Sequence, residues 1–225
     1  MSEEDKSESV ESPEEVTEED VESSERPIII FPPGMPGTQP PKPEMRVLAL
    51  IGDVEEEKSG EIIYGLLALR ETGRRPADPE DENSKEEYEP IQMIVSTFGG
   101  SASDMFAIYD IMRTVRDDCE IHTYGIGKVM SAGVLLLAAG SKGKRKIGKH
   151  CRVMLHSVAG GTHGELHSLE NEMDEIRWIQ EQYINALVKE TDLTKRMLKK
   201  LLDRKVNVYL DAREAVEYGI ADIIV

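Results

Sequence analysis

Beyond the first 44 residues, short apolar runs alternate with segments whose apolar residues recur at helical spacing. This pattern predicts strands that alternate with helices. Short apolar runs at 46–51, 91–97 and 120–124 have the length of buried strands. Apolar residues at helical spacing fill the segments between them, at 58–70 and 102–116. Because strand-helix-strand order favours parallel pairing with helices on the sheet faces, the pattern predicts an α/β domain.

The second half of the chain carries longer apolar patterns. Residues 131–139 are almost wholly apolar and too many for a usual strand, so they predict a buried helix that begins at Ser131. Residues 146–155 predict a strand that ends beside His156. The segment 164–191 has an apolar stripe on one face and polar residues on the others, which indicates a protruding or interface helix. A helical turn and a closing strand are expected at the end of the chain.

The composition divides the chain into three parts. Residues 1–26 hold 12 acidic and 2 basic side chains and almost no bulky apolar groups, so we expect a disordered acidic tail. Residues 27–44 are rich in proline and glycine and predict an extended arm. We expect residues 45–225 to form one domain, interrupted by an acidic surface loop at 71–89 with 8 acidic and 3 basic side chains.

Charge and cysteine content exclude several classes of function. The formal net charge is −17, mostly from the two acidic segments, and an acidic surface repels nucleic acid. No apolar stretch reaches the length of a membrane span, and the first residues lack the basic start and apolar run typical of a secretory leader, so we expect a cytoplasmic protein without a membrane partner. Only Cys119 and Cys151 occur, which is typical of a reduced protein, and we expect neither a metal nor a cofactor.

Three short patterns contain the groups that amide hydrolysis needs. Ser131 lies at a predicted helix start and His156 follows 25 residues later, so a hydroxyl and a base that could activate it are both present. The free backbone N–H of Ala132 at the helix start, and that of Gly100 in the Gly99-Gly100 turn, could stabilise an oxyanion. Each pattern alone has a simpler explanation, such as a helix cap or a turn. Their combination favours a hydrolase.

From about residue 46 to the C-terminus the chain resembles ClpP, the family of proteolytic subunits of the Clp protease. The matching stretches, in family order, are FGG at 98–100, AIYD at 107–110, GKVMSAG at 127–133, GSKGKR at 140–145, RVMLH at 152–156 and EAVEYGIAD at 214–222. The resemblance implies a ClpP/crotonase-like spiral of ββα units, with 164–191 as a protruding handle helix. It also implies a homo-oligomer of rings, commonly heptamers stacked in pairs, that enclose a chamber.

The same resemblance assigns roles to individual residues. It makes Ser131 the nucleophile and His156 the base, with the N–H groups of Gly100 and Ala132 as the oxyanion hole. A polypeptide substrate would then bind as an added strand between two segments of the chain, which explains broad specificity. The residues expected to bind it are Gly99, Ser101, Ser157 and Val158.

At the position of the family's catalytic aspartate this chain has Asn207. An asparagine can accept a hydrogen bond from the histidine ring, but it has no charge to stabilise the imidazolium, and one such exchange in another serine protease lowers kcat about 10⁴-fold. Asp203 and Asp211 are close in sequence and are weaker candidates for the same role. We therefore expect Asn207 as the third member and activity that is slow or conditional.

Other departures concern the assembly. Val206 stands where the family often has an arginine that makes contacts between rings, which puts a double ring in doubt. The family's aromatic pocket for a partner unfoldase corresponds here to Gln92, Ile94 and Thr114, none of them aromatic. A separate AAA+ unfoldase, if one feeds this protease, would therefore dock differently.

Three functions agree with these residues. The leading hypothesis is an ATP-independent serine endopeptidase subunit of a self-compartmentalising protease. The alternative is a catalytically weak or inactive subunit that completes a mixed ring with a paralogue. A signal-peptide peptidase or phage head protease is a weaker third possibility.

Two further patterns are poor matches to known sites. The segment 143–149 copies the spacing of a nucleotide-binding P-loop, but His150 replaces the residue that would hold magnesium. His163 and His167 are four residues apart, yet no carboxylate completes a zinc set at the metalloprotease spacing.

Overall fold

The computed structural model describes residues 45–225, except residues 79, 82–83, 162 and 203–206. The predicted tail and arm lie outside these residues. Glu44–Val225 forms one compact unit. In chain order its elements are β1 (Val47–Ile51), α1 (Glu56–Thr72), β2 (Arg74–Pro76), β3 (Glu86–Tyr88), β4 (Ile91–Thr97), α2 (Ala102–Val115), β5 (Ile121–Met130), α3 (Ala132–Ala138), β6 (Lys146–Ile147), β7 (Arg152–Leu155), α4 (Leu166–Glu190), α5 (Lys195–Leu202), β8 (Val208–Leu210), α6 (Ala212–Glu217) and β9 (Ile223–Ile224).

A seven-stranded sheet forms the centre of the domain. Strands β1, β4, β5, β6 and β9 pair in that order and are parallel, and β7 also pairs with β5 in parallel. Only β8, which pairs with β7, is antiparallel among these strands. The predicted α/β fold with parallel pairing is therefore confirmed. Because parallel strands end at the same edge, the loops after β4, β5 and β7 meet there.

The core contains buried residues of the central strands and of helices α1, α2 and α3, together with residues of α4, α5 and α6. Alternate residues of β4 are buried, as expected for a strand with one covered face. Every residue of α3 is buried, which explains why its sequence has no polar face. This helix fills the space behind the loop that carries Ser131.

The long helix α4 is buried only near its C-terminus and largely exposed over its first half. A polar cluster fixes the buried end. Glu190 is 1 % exposed and accepts hydrogen bonds from Tyr109 (3.0 Å), Arg113 (2.9 Å) and Arg116 (3.0 Å), all on or beside α2. Burial alone would raise the pKa of Glu190, but the hydrogen bonds from these partners outweigh it and hold that pKa below its usual range.

The sequence predicts a surface loop for the acidic insertion at 71–89. The structure instead contains an antiparallel hairpin there, formed by β2 and β3. Arg74 pairs with Glu86 across the two strands. The guanidinium of Arg70 lies over the Tyr88 ring, 5.1 Å from its centroid, and also donates to Asp118 (2.9 Å). The acidic and basic residues that predict a solvated loop therefore include an ion pair across the hairpin.

Two other predictions need correction. The strand expected at 146–155 is two strands, β6 and β7, because a turn closed by the Cys151 N–H and the Gly148 carbonyl (2.9 Å) separates them. The strand expected at 120–124 continues to Met130 as β5 and leads directly into the serine turn. The short strand β8 has no counterpart in the prediction.

Candidate active site

Ser131 occupies a sharp turn between β5 and α3. Its φ of 52° and ψ of −119° make it the only residue other than glycine with positive φ in the described part of the chain. Its N–H donates to the Met154 carbonyl (2.8 Å) and its carbonyl accepts from the Tyr183 hydroxyl (2.9 Å). A strained serine conformation persists only where neighbours hold it, and here strand β7 and helix α4 both do so.

His156 follows β7 and reaches the serine. The Nε2 atom of His156 lies 2.8 Å from the Oγ atom of Ser131. Strand pairing explains this contact, because Met130 and Met154 are partners in the parallel ladder and the chain leaves both strands at the same edge. The structure thus brings together the predicted nucleophile and base at hydrogen-bonding distance.

The glycine turn after β4 lies against the same serine. A Cβ on Gly99 would be 2.6 Å from the Ser131 Cβ, and one on Gly100 would be 2.1 Å from the Val54 carbonyl oxygen. Both glycines also have φ between 100° and 155°, where other residues are strained. Only glycine fits at either position, so the close approach explains the paired glycines.

Val54 holds this turn in place from both sides. Its N–H donates to the Gly99 carbonyl and its carbonyl accepts from the Ser101 N–H, each at 2.8 Å. Within the described residues, the N–H groups of Gly100 and Ala132 have no backbone acceptor. They remain available beside the serine, as an oxyanion hole requires.

A cleft of about 320 Å³ opens at this point, within the size range of small-molecule and peptide side-chain sites. It is lined by the serine, the histidine and a mainly apolar wall. The lining residues are Phe98, Gly100, Ser101, Ala102, Met105, Ser131, Ala132, His156, Val158, Ala159, Ile179 and Tyr183.

The residues expected to bind substrate already have partners inside the chain. Ser101 caps α2 by accepting from the Asp104 N–H (3.3 Å), in addition to its contact with Val54. Ser157 donates through its hydroxyl to the Leu202 carbonyl (3.0 Å). The N–H of Val158 donates to the side chain of Gln180 (2.6 Å). A substrate strand that uses the Val158 N–H must therefore displace Gln180.

Asn207 is placed differently from the other candidates. It is exposed, and no hydrogen bond joins it to His156. Val208 pairs with Leu155 in the antiparallel ladder, so a continuation of the ladder would set Asn207 opposite His156. Asp211 caps α6 through its contacts with the Arg213 and Glu214 N–H groups. The other candidate, Asp203, and the neighbouring Val206 lie outside the described residues.

Tyr183, Val54 and Gln180 were not predicted as part of the site. They contact it through backbone groups or across more than 20 residues, and no local motif marks such contacts. Burial raises the pKa of the Tyr183 phenol, which keeps it protonated as the donor to Ser131. For Tyr183, the apolar stripe along the last turns of α4 is the one sequence signal that could have indicated burial beside the site.

No group of three or more histidine, cysteine or acidic side chains able to hold a metal occurs among the described residues. Both cysteines are buried and unpaired, and burial raises the pKa of the Cys151 thiol to about 11. None of the described helices is both long and apolar enough to cross a membrane. At the expected docking pocket, Gln92 and Thr114 are exposed and Ile94 is half-buried.

A sequence model of the Clp protease family matches residues 44–225. The chain belongs to the Clp protease family. Two curated proteins, both named ATP-dependent Clp protease proteolytic subunit 1, are 34% identical to it over 179 residues. They come from Prochlorococcus marinus (strain MIT 9312) and from Prochlorococcus marinus subsp. pastoris (strain CCMP1986 / NIES-2087 / MED4), and the alignments cover 80% of this chain and 83% of each relative.

The match confirms the predicted family, and the observed sheet and helices agree with the Clp protease fold. It also confirms that this is a Clp-type peptidase. Membership in the Clp protease family indicates a ring-forming subunit that acts on polypeptides.

Proposed function

We propose that this Clp protease subunit is a serine endopeptidase with Ser131 as nucleophile and His156 as general base. The observation that carries the proposal is the 2.8 Å contact between Ser131 Oγ and His156 Nε2 at the cleft. A hydroxyl is a weak nucleophile unless a base takes its proton, and this distance is within the range for that transfer.

The reaction uses only groups of this chain and water. Ser131 Oγ attacks the scissile carbonyl while its proton moves to His156 Nε2. The carbonyl oxygen becomes an oxyanion, which the N–H groups of Gly100 and Ala132 stabilise, and each such donor is typically worth about 2.7–4 kcal/mol of barrier. His156 then protonates the leaving amine, and water hydrolyses the acyl-enzyme by the reverse proton transfers.

The substrate is an unfolded polypeptide or short peptide bound in extended form. Ser101 and Val158 line opposite parts of the cleft, which supports strand addition between the two segments, with Gly99 and Ser157 beside them. Two free cysteines suit a reducing compartment such as the cytoplasm.

The working assembly is a ring, heptameric in this proposal, that hydrolyses peptides without ATP of its own. The relatives are named ATP-dependent, which supports a separate AAA+ unfoldase that supplies folded substrates. The nonaromatic Gln92, Ile94 and Thr114 support a docking contact that differs from the family's.

A second candidate is a weakly active or inactive subunit in a mixed ring with a paralogue. The exposed Asn207, which has no hydrogen bond to His156, favours this candidate. Without the third member the histidine ring is oriented only by its own backbone and by Ser131, and turnover falls.

Hydrolysis of short fluorogenic peptides by the full chain, with mass in solution measured on the same sample, distinguishes the two candidates. Turnover by an oligomer that disappears in Ser131→Ala is the expected result. An assembled protein without turnover, which gains activity only after mixing with a paralogue, would favour the second candidate. Labelling of Ser131 by a fluorophosphonate reports whether the nucleophile is activated even when peptides are not cleaved.

A further inference from the structure

Phe98 is an exposed aromatic residue beside the catalytic pair. It is 61% exposed, and its side chain lines the cleft together with Ser131 and His156. Core packing does not account for so large an apolar surface at this position, because the buried residues of β4 end at Thr97. The ring is free to contact a bound peptide.

The ammonium group of Lys128 lies over this ring. Its Nζ atom is 4.5 Å from the Phe98 centroid, within the range of a cation–π contact. Lys128 is on β5, three residues before Ser131, so the contact joins the nucleophile's strand to the glycine turn. No carboxylate of the described residues pairs with Lys128, so its positive charge is not neutralised by any of them.

A second cation lies next to Lys128 in the sheet. Arg152 is its partner in the parallel ladder between β5 and β7, and both side chains leave the same face. Arg152 is exposed. Asp211 partly balances the charge of Arg152. The pKa of Asp211 is lowered mainly by the backbone N–H of Glu214, and the positive charge of Arg152 lowers it to a smaller extent. Lys128 thus stands in a locally positive region of an acidic protein.

We propose that Phe98 and Lys128 form a subsite for an acidic substrate side chain close to the scissile bond. This subsite, called here the Phe98 subsite, deepens the proposed peptidase function and rests on it. The methylene groups of a glutamate pack on the ring, and its carboxylate accepts from the Lys128 ammonium. No acidic side chain lines the cleft among the described residues, so nothing there repels such a substrate.

The chemistry separates three kinds of substrate. Glutamate satisfies both the ring and the ammonium. Glutamine of the same shape keeps the packing but loses the charge pairing. Lysine places a second cation against Lys128 and is disfavoured. Because one partly exposed ion pair decides the difference, a preference of about fivefold for glutamate over glutamine is expected.

The test uses short labelled peptides that differ only by glutamate or glutamine, placed in turn at each position around one susceptible bond. Binding is measured by fluorescence anisotropy on the full chain carrying Ser131→Ala, so the result does not depend on turnover. Cleavage of the same peptides by the unaltered protein, mapped by mass spectrometry, gives the position of the subsite.

We expect glutamate to bind about fivefold tighter than glutamine at one position, and Lys128→Met to abolish this difference while glutamine peptides bind as before. Lys144→Met is the matched control. It removes the same charge from an exposed lysine that pairs with Glu120 before the start of β5, at the far end of the strand from Lys128. This control should keep the preference. Lys128→Glu should reverse it in favour of a lysine peptide.

The Phe98 subsite is wrong if glutamate and glutamine bind equally at every position, if the preference survives Lys128→Met, or if no peptide of the set binds. A preference that is found without any cleavage supports the subsite and rejects the proposed function. Cleavage without a preference supports the proposed function and rejects the subsite. Thermal unfolding of each variant verifies that binding is compared between folded proteins.

Discussion

The two sides of His156 differ sharply in how they are built. On one side, Ser131 is held by backbone and side-chain contacts from β7 and α4, and Gly99 lies against it with no room for a side chain. On the other side, Asn207 is exposed next to a three-residue edge strand and has no hydrogen bond to the ring. Steric contacts fix the position of Ser131, whereas no hydrogen bond fixes Asn207 against the ring.

The largest effect is expected from Gly99→Ala. Its new Cβ would lie 2.6 Å from the Ser131 Cβ and displace the nucleophile, so peptide turnover should fall by about a hundredfold or more. Initial rates with a fluorogenic peptide measure this. Gly161→Ala is the control, because its Cβ would meet nothing within 4 Å. Equal rates in both variants would show that the nucleophile's side is less tightly built than described.

The next largest effect concerns Glu190, which fixes the end of α4 that presents Tyr183. Glu190→Gln should lower the free energy of unfolding by about 2 kcal/mol at pH 7, because it leaves the half-buried guanidinium groups of Arg113 and Arg116 without their charge partner. Chemical denaturation at several pH values measures this loss.

The sign of the pH dependence follows from the lowered pKa of Glu190. The stabilisation is fully present above the ordinary carboxyl pKa and is lost as pH falls through the lower folded value. The stabilities of the native protein and Glu190→Gln should therefore converge in acid. A constant difference between them down to pH 2 would contradict the assigned charge of this carboxylate.

A smaller effect is expected from Tyr183→Phe, which removes one of two donors to the carbonyl of Ser131 and leaves only the Val134 N–H (3.0 Å). The serine turn should relax, and kcat should fall about tenfold while KM changes little. Labelling of Ser131 by a fluorophosphonate should slow in parallel. If only stability changes and the labelling rate does not, Tyr183 supports the fold without positioning the nucleophile.

The smallest effect is expected on the other side of the ring. Because Asn207 has no hydrogen bond to His156, Asn207→Ala should change turnover by less than about threefold. Asn207→Asp should increase turnover, since a carboxylate opposite His156 stabilises the imidazolium. A large loss in Asn207→Ala would show that the amide reaches the ring during catalysis, so that both sides of His156 are fixed by contacts.

Local patterns were sufficient for part of this site. A buried helix after Ser131 and a strand before His156 follow from apolar runs, and double glycine indicates a tight turn. These predictions succeed because each depends on residues that are neighbours in sequence. The contact between the serine and the histidine itself depends on the pairing of β5 with β7, which only the fold provides.

The remaining features depend on distant partners. Val54 joins the glycine turn through backbone groups, which leave no mark on residue type. The β2–β3 hairpin is hidden because its cross-strand ion pairs have the composition of a solvated loop. Strand β8 has three residues and one buried side chain, too few for a periodic signal. Its strand conformation is accompanied by pairing with β7, which only the fold provides.

The close approach of Gly99 to Ser131 also couples the evolution of these two positions. A chain that acquires any side chain at the glycine must give up the position of its serine, so the two sites cannot diverge independently while hydrolysis is selected. Substitution of that glycine in a paralogue that shares a ring with this chain would mark the paralogue as the noncatalytic partner. Its sequence would reveal which subunits of a mixed ring cleave.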